Sequence, residues 1–497
     1  MTHAVLTVLI FLAILFIFHG IFLLLLFRPQ SKRNLAQNAD EYLIVYASQS
    51  GQTENFALQT AQQLSASGYL VQCLSIEQVN AALFKRSLKI LWIVSTYGEG
   101  DAPDSARQFV KNVMTKSFDL NDIEYAVLAF GDSHYANFCN FGKQLDLWLT
   151  ENHAQALFSL VCVDQLNPTM GLTEWQTQLD LVLPQFSAQP VQLIQHPFHS
   201  VVLSERHLLN QGSLGHPMYH LVFTQVEALC WKSGDILEIQ CANTDSQIKA
   251  FLDHFNLQNS SVFQANHPIE LLRFKNLRSF DAMQHSTAFE QWLAQVEDLP
   301  IREYSIASIT SQNQIELVVR REVHQTGLGL GSGYLTHALA LGEQIFCRVR
   351  SNPAFYLVQN DRPIILIGNG SGIAGLMSHI RQRAEWSFQQ NWLIYGERQY
   401  QVDLGFADQL NLWQQQSVLP QIDYAFSRDT DNQKYVQDCV LEKSAQLKHW
   451  IEQGASIYIC GSLKGMAQGV ETVLIDILGE DQFEQLIEQK RYLRDVY

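Results

Sequence analysis

The first forty residues differ from the rest of the chain in how apolar and polar positions are arranged. Residues 4–27 form one uncharged run, and only Thr7, His19 and Gly20 interrupt its apolar pattern. As a helix this run would be about 36 Å long, which exceeds the ~30 Å hydrocarbon core of a bilayer. The pattern therefore predicts a transmembrane helix over residues 4–27, followed by a polar, aperiodic tether over residues 28–40.

The charges that flank this run predict its orientation. Arg28, Lys32 and Arg33 follow it directly, whereas residues 1–3 contain no Lys or Arg. Because basic residues favour the cytoplasmic side, we expect a single-pass membrane protein whose later domains are cytoplasmic. A cleaved signal peptide is the alternative, but it requires a basic start and a small-residue cleavage site, which this sequence lacks.

Residues 41–186 alternate short apolar runs with helix-like stretches. Runs rich in β-branched and aromatic residues lie at 42–47, 69–74, 88–95 and 125–130. Helical patterns lie between them at 53–66 and 104–114. This alternation predicts a doubly wound parallel sheet covered by helices on both faces, with ligands at the carboxyl ends of its strands.

Three polar loops follow strands of this predicted sheet. The first carries a glycine, hydroxyls and backbone N–H groups at a helix start, a combination that can hold a phosphate; an ordinary capped turn is the alternative. The other two each place an aromatic residue beyond a buried strand, which suggests two faces of a planar ring; an exposed surface tyrosine is the alternative. The candidate residues are Ser48, Gln49, Ser50, Gly51, Gln52 and Thr53, then Ser95, Thr96, Tyr97 and Gly98, then Gly131, Tyr135, Phe138 and Cys139.

Residues 195–350 have a different pattern. Apolar and polar residues alternate at 219–223 and 236–239, and turn residues lie at 233–235, which predicts antiparallel strands that form a barrel. An arginine can neutralise a pyrophosphate, a tyrosine can stack on a ring, and a Gly-Ser turn at a helix start can bind phosphate. The candidates for these roles are Arg302, Glu303, Tyr304 and Ser305, then Gly329, Leu330, Gly331 and Ser332. A strand end with a surface arginine is the alternative.

Residues 362–497 predict a second α/β unit. A buried-strand run at 363–367 leads into a glycine-rich turn and a helical stretch, the context that nucleotide binding requires. A second polar group follows a later strand and can bind the 2′-phosphate that distinguishes NADPH from NADH; a solvated loop with a helix cap is the alternative. The candidates are Gly368, Ser371 and Gly372 in the turn, and Ser427, Arg428, Lys434, Tyr435 and Gln437 in the later group.

Composition narrows the function classes. With 33 basic and 49 acidic residues the chain carries a formal charge of −16, which disfavours nucleic-acid binding, and its 47% apolar content excludes a disordered chain. The 8 cysteines form no CxxC pair and no cluster with histidine, so we expect no metal site and no disulfide framework.

Together these motifs resemble the diflavin reductase family, in which a flavodoxin-like domain is fused to a ferredoxin–NADP reductase-like module. YASQSGQTENFA, STYGEGDAPDSA and FGDSHYANFCNFGK match the three FMN loops of that family in order and spacing. The resemblance implies an α/β and β-barrel multidomain fold after the transmembrane helix. Its expected parts are an FMN domain over 41–186, an FAD-binding barrel with a short connecting segment over 195–350, and an NADPH-binding domain over 362–497.

The resemblance also implies residue roles and three cofactors, FMN, FAD and NADPH. Tyr97 and Tyr135 would flank the FMN ring, and residues 48–53 would hold its phosphate. Ser305, Cys460 and Asp495 would surround the hydride path, and Tyr497 would stack on FAD and move aside for nicotinamide. The sequence departs from the family at Cys139, where many relatives have Asn, and at Gln433, where they usually have the 2′-phosphate Lys.

The function expected from this resemblance is a membrane-anchored NADPH-dependent diflavin reductase. It would pass electrons from NADPH through FAD and FMN to a haem protein or another one-electron acceptor protein. A sulfite reductase flavoprotein-like subunit is the first alternative, favoured by the terminal tyrosine. A non-catalytic membrane electron carrier or scaffold is the second.

Overall fold

The computed structural model describes most of the chain after residue 40. The described residues are 41–49, 51–85, 88–97, 100–133, 137–164, 168–184, 186, 197–258, 267–280, 286–325, 327–429 and 433–497. The predicted transmembrane helix and tether, residues 4–40, lie outside them. Within the described residues, no helix is both long and apolar enough to cross a membrane. This finding overturns the predicted single-pass membrane localisation.

The first unit is a parallel sheet. Its strands are β1 (Glu41–Ala47), β2 (Leu70–Ser75), β3 (Leu88–Ser95), β4 (Ile123–Gly131), β5 (Gln155–Ala156) and β6 (Val161–Asp164). Their order is β2-β1-β3-β4-β5, with β6 also paired to β4. The helices are α1 (Gln52–Ala66), α2 (Arg107–Phe109) between two short helical turns, α3 (Asn140–Glu151) and α4 (Pro168–Val182). The predicted parallel sheet is confirmed.

Continuous apolar strands of this sheet bury both of their faces. Val45 and Trp92 pack in the core on one side, whereas Ile44 and Ile93 pack in the core on the other. This is why the strands are unbroken apolar runs rather than alternating ones. The order reverses between β1 and β3, so the loops that follow these two strands diverge and leave a crevice at their carboxyl ends.

The second unit is an antiparallel sheet. Its strands are β7 (His199–Leu208), β8 (Met218–Gln225), β9 (Ile236–Gln240), β10 (Ile301–Ser305), β11 (Gln314–Arg320) and, after the hairpin of β12 (Val323–His324) and β13 (Gly327–Leu328), β14 (Gln344–Arg350). The order is β10-β9-β14-β7-β8-β11, and a bridge between Ile306 and Leu317 brings its two ends together. The helices are α5 (Asp245–Phe255), α6 (Pro268–Leu272), α7 (Ser286–Gln295) and α8 (Leu330–Gly333).

The third unit is another parallel sheet, of order β17-β16-β15-β18-β19. Its strands are β15 (Ile364–Asn369), β16 (Asn391–Glu397), β17 (Gln421–Phe426), β18 (Ser456–Gly461) and β19 (Tyr492–Val496). The helices are α9 (Ile373–Glu385), α10 (Tyr400–Asp403), α11 (Ala407–Gln415), α12 (Val436–Glu442), α13 (Ser444–Glu452), α14 (Gln468–Leu478) and α15 (Glu480–Glu488). Because β19 is parallel to its neighbour, the last residue lies at the carboxyl edge of the sheet, beside the glycine-rich turn after β15.

Candidate functional site

The loop between β1 and α1 has the geometry of an anion site. Gly51 caps α1 at φ +82°, and no side chain caps the helix, so its first N–H groups are available. The hydroxyl of Ser48 accepts a hydrogen bond from the Gly51 N–H at 2.9 Å, which shapes the turn. Thr53 is buried in the first turn of the helix. Ser50, Gly98 and Tyr135 of the predicted set lie outside the described residues.

Main-chain and side-chain bonds join the three predicted loops. Ser95 Oγ donates to the carbonyl of Ala47 at 3.2 Å, and Thr96 N donates to the carbonyl of Phe130 at 2.8 Å. The Gln49 side chain accepts from Asp104 N at 2.9 Å. The described residues of the three loops are therefore held at one edge of the sheet.

Cys139 faces the core rather than the outside of its loop. It caps α3 at φ +55°, it is fully buried, and its thiol donates to the carbonyl of Ala129 at 3.2 Å. A side chain at Gly131 would meet the Cys139 nitrogen at 2.7 Å, so this turn requires glycine. Lys143 Nζ lies 5.6 Å from the ring centroid of Phe138.

The two motifs of the antiparallel unit meet at one cavity of about 340 Å³. A Cβ on Gly331 would lie 2.6 Å from Arg302 Cγ and 2.7 Å from Tyr304 Oη, so only glycine permits this approach. Ser332 Oγ accepts from the Glu322 N–H at 3.0 Å, which fixes the turn. The predicted residues that line the cavity are Arg302, Glu303, Tyr304, Ser305, Gly329, Leu330, Gly331, Ser332, Ser371, Asp495, Tyr497 and, from the first unit, Tyr97.

Ser305 and Asp495 line this cavity, and the fully buried Cys460 contacts Asp495. Ser305 Oγ donates to Asp495 Oδ2 at 2.6 Å, and Cys460 Sγ lies 3.7 Å from the same oxygen. Burial raises the pKa of the Asp495 carboxyl, and burial together with that carboxyl raises the pKa of the Cys460 thiol well above its usual value. The thiol is therefore protonated at neutral pH. It can make a polar contact that carries a proton, but it is not a nucleophile.

Tyr497 separates this cavity from a second one. Its main chain continues the edge of the sheet, with Tyr497 N donating to Gly461 O at 3.0 Å and Leu463 N donating to Tyr497 O at 2.9 Å. The residue as a whole is 57% exposed, and its hydroxyl lies 3.0 Å from Ser371 Oγ. The last residue is thus ordered by its backbone while its ring lines both cavities.

The second cavity, of about 530 Å³, lies over the glycine-rich turn. A Cβ on Gly368 would lie 2.5 Å from the carbonyl of Cys460, and Gly372 is packed on the same carbonyl, so the turn between β15 and α9 requires glycine at both positions. The predicted residues that line this cavity are Ser371, Ser427, Lys434, Tyr435, Gln437 and Tyr497.

Four of the five residues predicted to bind the 2′-phosphate line this cavity, and the fifth, Arg428, contacts one of them, Tyr435. Arg428 is exposed, and its Nη1 donates to Tyr435 Oη at 3.4 Å. Lys434, the expected second cation, forms an ion pair with Glu442 of α12. Its charge is therefore already compensated by a carboxylate.

Three basic residues that motif reasoning missed also line the second cavity: Arg320, Arg398 and Lys464. Lys464 follows the carboxyl end of β18, a position that sheet topology alone could have indicated. Arg320 comes from β11 of the antiparallel unit, and no local pattern in the sequence links it to the glycine-rich turn.

Comparison with known proteins gives family matches within the first and third units. Residues 44–175 match the family model for flavodoxin, and residues 366–472 match the model for the oxidoreductase NAD-binding domain. The chain is 26% identical to the sulfite reductase [NADPH] flavoprotein alpha-component of Bacillus subtilis, over 92% of this chain and 89% of that protein. The proteins of the same name from Aliivibrio fischeri and Shewanella sp. MR-4 are 27% and 28% identical, each over 93% of this chain and 90% of the relative.

Proposed function

This chain belongs to the diflavin reductase family, and we propose that it is an NADPH-dependent reductase of the sulfite reductase flavoprotein type. It is an oxidoreductase that uses FMN, FAD and NADPH. In the proposed reaction, electrons pass from NADPH through FAD and FMN to a haemoprotein. The observation that carries the proposal is that Tyr97 from the first unit and Tyr497 from the third line one cavity, so that the two proposed flavin sites adjoin.

The residues around the first cavity fit FAD. Arg302 offers a guanidinium for the pyrophosphate, and the turn at Gly329 offers N–H groups at the start of α8. Tyr304 presents a ring to the same space. When bound, FAD would accept a hydride and FMN would pass electrons on singly; the protein would bind, orient and shield them.

The loops at the carboxyl edge of the first unit fit FMN by the same reasoning. A Cβ added to Gly51 would meet nothing within 4 Å, so there is open space over the uncapped N–H groups of α1. A phosphate there would accept hydrogen bonds from these N–H groups, and the helix dipole would favour its negative charge. Tyr97 follows β3, and its hydroxyl donates to Val496 of the third unit. Tyr97 also lines the cavity of the antiparallel unit, which supports a ring site between its loop and that unit.

Ser305, Cys460 and Asp495 are the proposed residues at the hydride path. The carboxyl of Asp495 is buried, and the hydroxyl of Ser305 donates to it, so the pair can hold a proton inside the cavity. Gly375 of α9 lies against this group, with a Cβ position 3.0 Å from Cys460 Sγ. We propose that the three side chains orient the reacting rings and exclude water.

We propose that the acceptor is a sulfite reductase haemoprotein, the alternative kept open by the sequence. The similarity to sulfite reductase flavoproteins extends over more than nine-tenths of this chain and supports this choice over a microsomal type of haemoprotein reductase.

Flavin analysis and turnover test the reductase assignment. Protein reconstituted with both flavins should release FAD and FMN in equal amounts after acid treatment, and it should reduce cytochrome c with NADPH. A preparation that retains one flavin, or that oxidises NADPH without reducing cytochrome c, contradicts the proposal.

The acceptor needs a separate measurement. Addition of a sulfite reductase haemoprotein should make the rate of NADPH oxidation depend on sulfite. A microsomal cytochrome should not raise the rate of NADPH oxidation above the rate measured with cytochrome c. The reverse pattern would favour a haemoprotein reductase of the other type.

A further inference from the structure

Two thiols lie side by side where β4, β6 and the start of α3 meet. β6 pairs with β4 so that Cys162 is the partner of Ala129. The thiol of Cys139, which caps α3, lies 3.2 Å from the carbonyl of that same Ala129. Both cysteines pack in the core on the α3 side of the sheet. The register therefore brings the side chains of Cys139 and Cys162 together, although one caps a helix and the other lies in a strand.

The two sulfurs differ in burial and in their surroundings. Cys139 is fully buried, whereas Cys162 is half-buried. A hydrogen bond with Cys139, assisted by the charge of Lys143 on α3, lowers the pKa of the Cys162 thiol. The same hydrogen bond, together with burial, raises the pKa of the Cys139 thiol. Cys162 is therefore the thiolate that a reagent from solvent meets, and Cys139 is the protonated thiol behind it.

The start of α3 connects this pair to the polar loops of the first unit. Asn140 Nδ2 donates to the carbonyl of Gly100 at 2.8 Å. Phe141 N donates to Thr96 Oγ1 at 3.3 Å, so the first turn of α3 is bonded to the loop after β3. A disulfide holds its sulfurs about 2.05 Å apart, closer than two unbonded thiols approach. Formation of a disulfide would therefore pull Cys139 and the start of α3 toward β6 and strain these bonds.

We propose that Cys139 and Cys162 form a reversible disulfide when the protein meets a hydroperoxide, and that this disulfide weakens FMN binding. The disulfide is independent of the proposed function, whereas its effect on FMN rests on that function, which places the phosphate and ring of FMN among these loops. The pair is thus a modification site at which a peroxide would switch off the first unit.

The oxidation proceeds in two steps that balance. The Cys162 thiolate attacks the O–O bond of the peroxide, a sulfur–oxygen bond forms, and the other oxygen leaves and takes up a proton to become an alcohol or water. The thiol of Cys139 then attacks the sulfenic acid on Cys162. A sulfur–sulfur bond forms, and water leaves with the sulfenic oxygen and the proton of Cys139. Two thiols are oxidised while one peroxide is reduced.

Mass spectrometry of the flavin-loaded protein tests the disulfide. Equimolar hydrogen peroxide should lower the intact mass by two hydrogen atoms and link the peptides that contain Cys139 and Cys162, and dithiothreitol should separate them. Cys162→Ser should form no such link. The matched control is Cys73→Ser, because Cys73 is half-buried in β2 of the same sheet and burial raises its pKa to about 11. This control should form the disulfide as the wild-type protein does.

Flavin retention tests the effect on FMN. After oxidation, the dissociation constant of FMN, measured by ultrafiltration, should rise about tenfold, while FAD stays bound. Dithiothreitol should restore the affinity, and Cys162→Ser should keep its FMN affinity under the same treatment.

The possible outcomes are distinct. Absence of the linked peptides in oxidised wild-type protein, or a link to a different cysteine, would overturn the inference. A disulfide that leaves the FMN affinity unchanged would overturn its proposed effect, and so would an equal loss of FMN from oxidised Cys162→Ser. Failure of the untreated protein to bind FMN would instead contradict the proposed function.

Discussion

The hydroxyl of Tyr97 donates a hydrogen bond to the main-chain oxygen of Val496, 2.8 Å away. Tyr97 follows β3 of the first parallel sheet, and Val496 is the penultimate residue, at the end of β19. The carboxyl edges of two separate sheets therefore face each other. The aromatic loop proposed for one flavin reaches the strand that carries the aromatic residue proposed for the other.

Charged residues surround this contact. Arg494 of β19 forms an ion pair with Asp104 of the first unit and lies 3.4 Å from Glu471 of α14. Arg107 of α2, in the first unit, forms an ion pair with the same Glu471 of the third unit. The side chains of both arginines are largely buried, so removal of the shared carboxylate would leave Asp104 as the one carboxylate named here beside two cations.

We expect Glu471→Gln to loosen the contact between the first and third units. Repulsion between Arg107 and Arg494 would favour separated forms, and the radius of gyration measured by small-angle X-ray scattering should increase. The matched control is Glu480→Gln, because Glu480 is exposed and lies 4.0 Å from Lys111. If both variants scatter like the wild-type protein, the ion pairs do not hold the two units together.

Arg428→Ala should weaken NADPH much more than NADH. The side chain is exposed beside Tyr435, and a charge-assisted contact to a 2′-phosphate contributes about 1.5–3 kcal/mol, or about 10- to 150-fold in affinity. Steady-state kinetics with each cofactor measures the two losses. Lys434→Ala is the control, and it should have the smaller effect because Glu442 already neutralises Lys434. Equal losses for NADPH and NADH would show that Arg428 does not contact the phosphate.

Local sequence patterns predicted the parallel sheets and their turns. The run at 363–367 predicted a buried strand, and β15 covers Ile364–Asn369. Glycine at Gly368 and Gly372 is required by the approach of β18, and the same glycines marked the turn in the sequence. Strand, turn and helix start are adjacent along the chain, so a window of about fifteen residues contains most of what determines them.

Contacts between units could not be predicted in this way. The Tyr97–Val496 hydrogen bond joins residues 399 positions apart, and no periodicity records such a pairing. Arg320 lies at the end of an ordinary strand, and its place beside Gly370 follows from how two units pack. Lys434 shows the opposite case, in which a residue of the expected type is paired with Glu442 of the following helix.

His379 should make the stability of the third unit depend on pH. It is fully buried on α9, its ring stacks on Phe355 with centroids 4.8 Å apart, and it hydrogen-bonds to Ser233. Burial lowers its pKa to about 3, and the charge of Arg383 acts in the same direction. An unfolded histidine has a pKa of about 6.5, so the unfolded chain binds the proton first and stability falls as the pH drops below that value.

The size of this effect follows from the same linkage. Between pH 8 and pH 5 the wild-type protein should lose about 2 kcal/mol of unfolding free energy through His379. His379→Gln cannot be protonated and should lose correspondingly less over this range, whatever its stability at pH 8. Urea titrations at both pH values measure the difference, with His449→Gln as an exposed control that should behave like the wild-type protein. An identical pH dependence in His379→Gln would assign the loss to other groups.

Tyr497→Ala should relax the preference for NADPH over NADH. Tyr497 lines both cavities, and its hydroxyl is 3.0 Å from Ser371 Oγ of the glycine-rich turn. In the proposed function, nicotinamide would have to displace the ring to reach the first cavity. That displacement would take binding energy, part of which the 2′-phosphate would supply. Without the ring, NADH should therefore become about tenfold more effective relative to NADPH, a change of about 1.4 kcal/mol.

The backbone bonds of Tyr497 to Gly461 and Leu463 do not involve the ring and should keep β19 in place. Tyr497→Phe, which loses only the bond to Ser371, is the control and should retain the preference. The ratio of kcat/KM values for the two cofactors decides, and an unchanged ratio in Tyr497→Ala, with unchanged FAD absorption, would remove Tyr497 from the nicotinamide path.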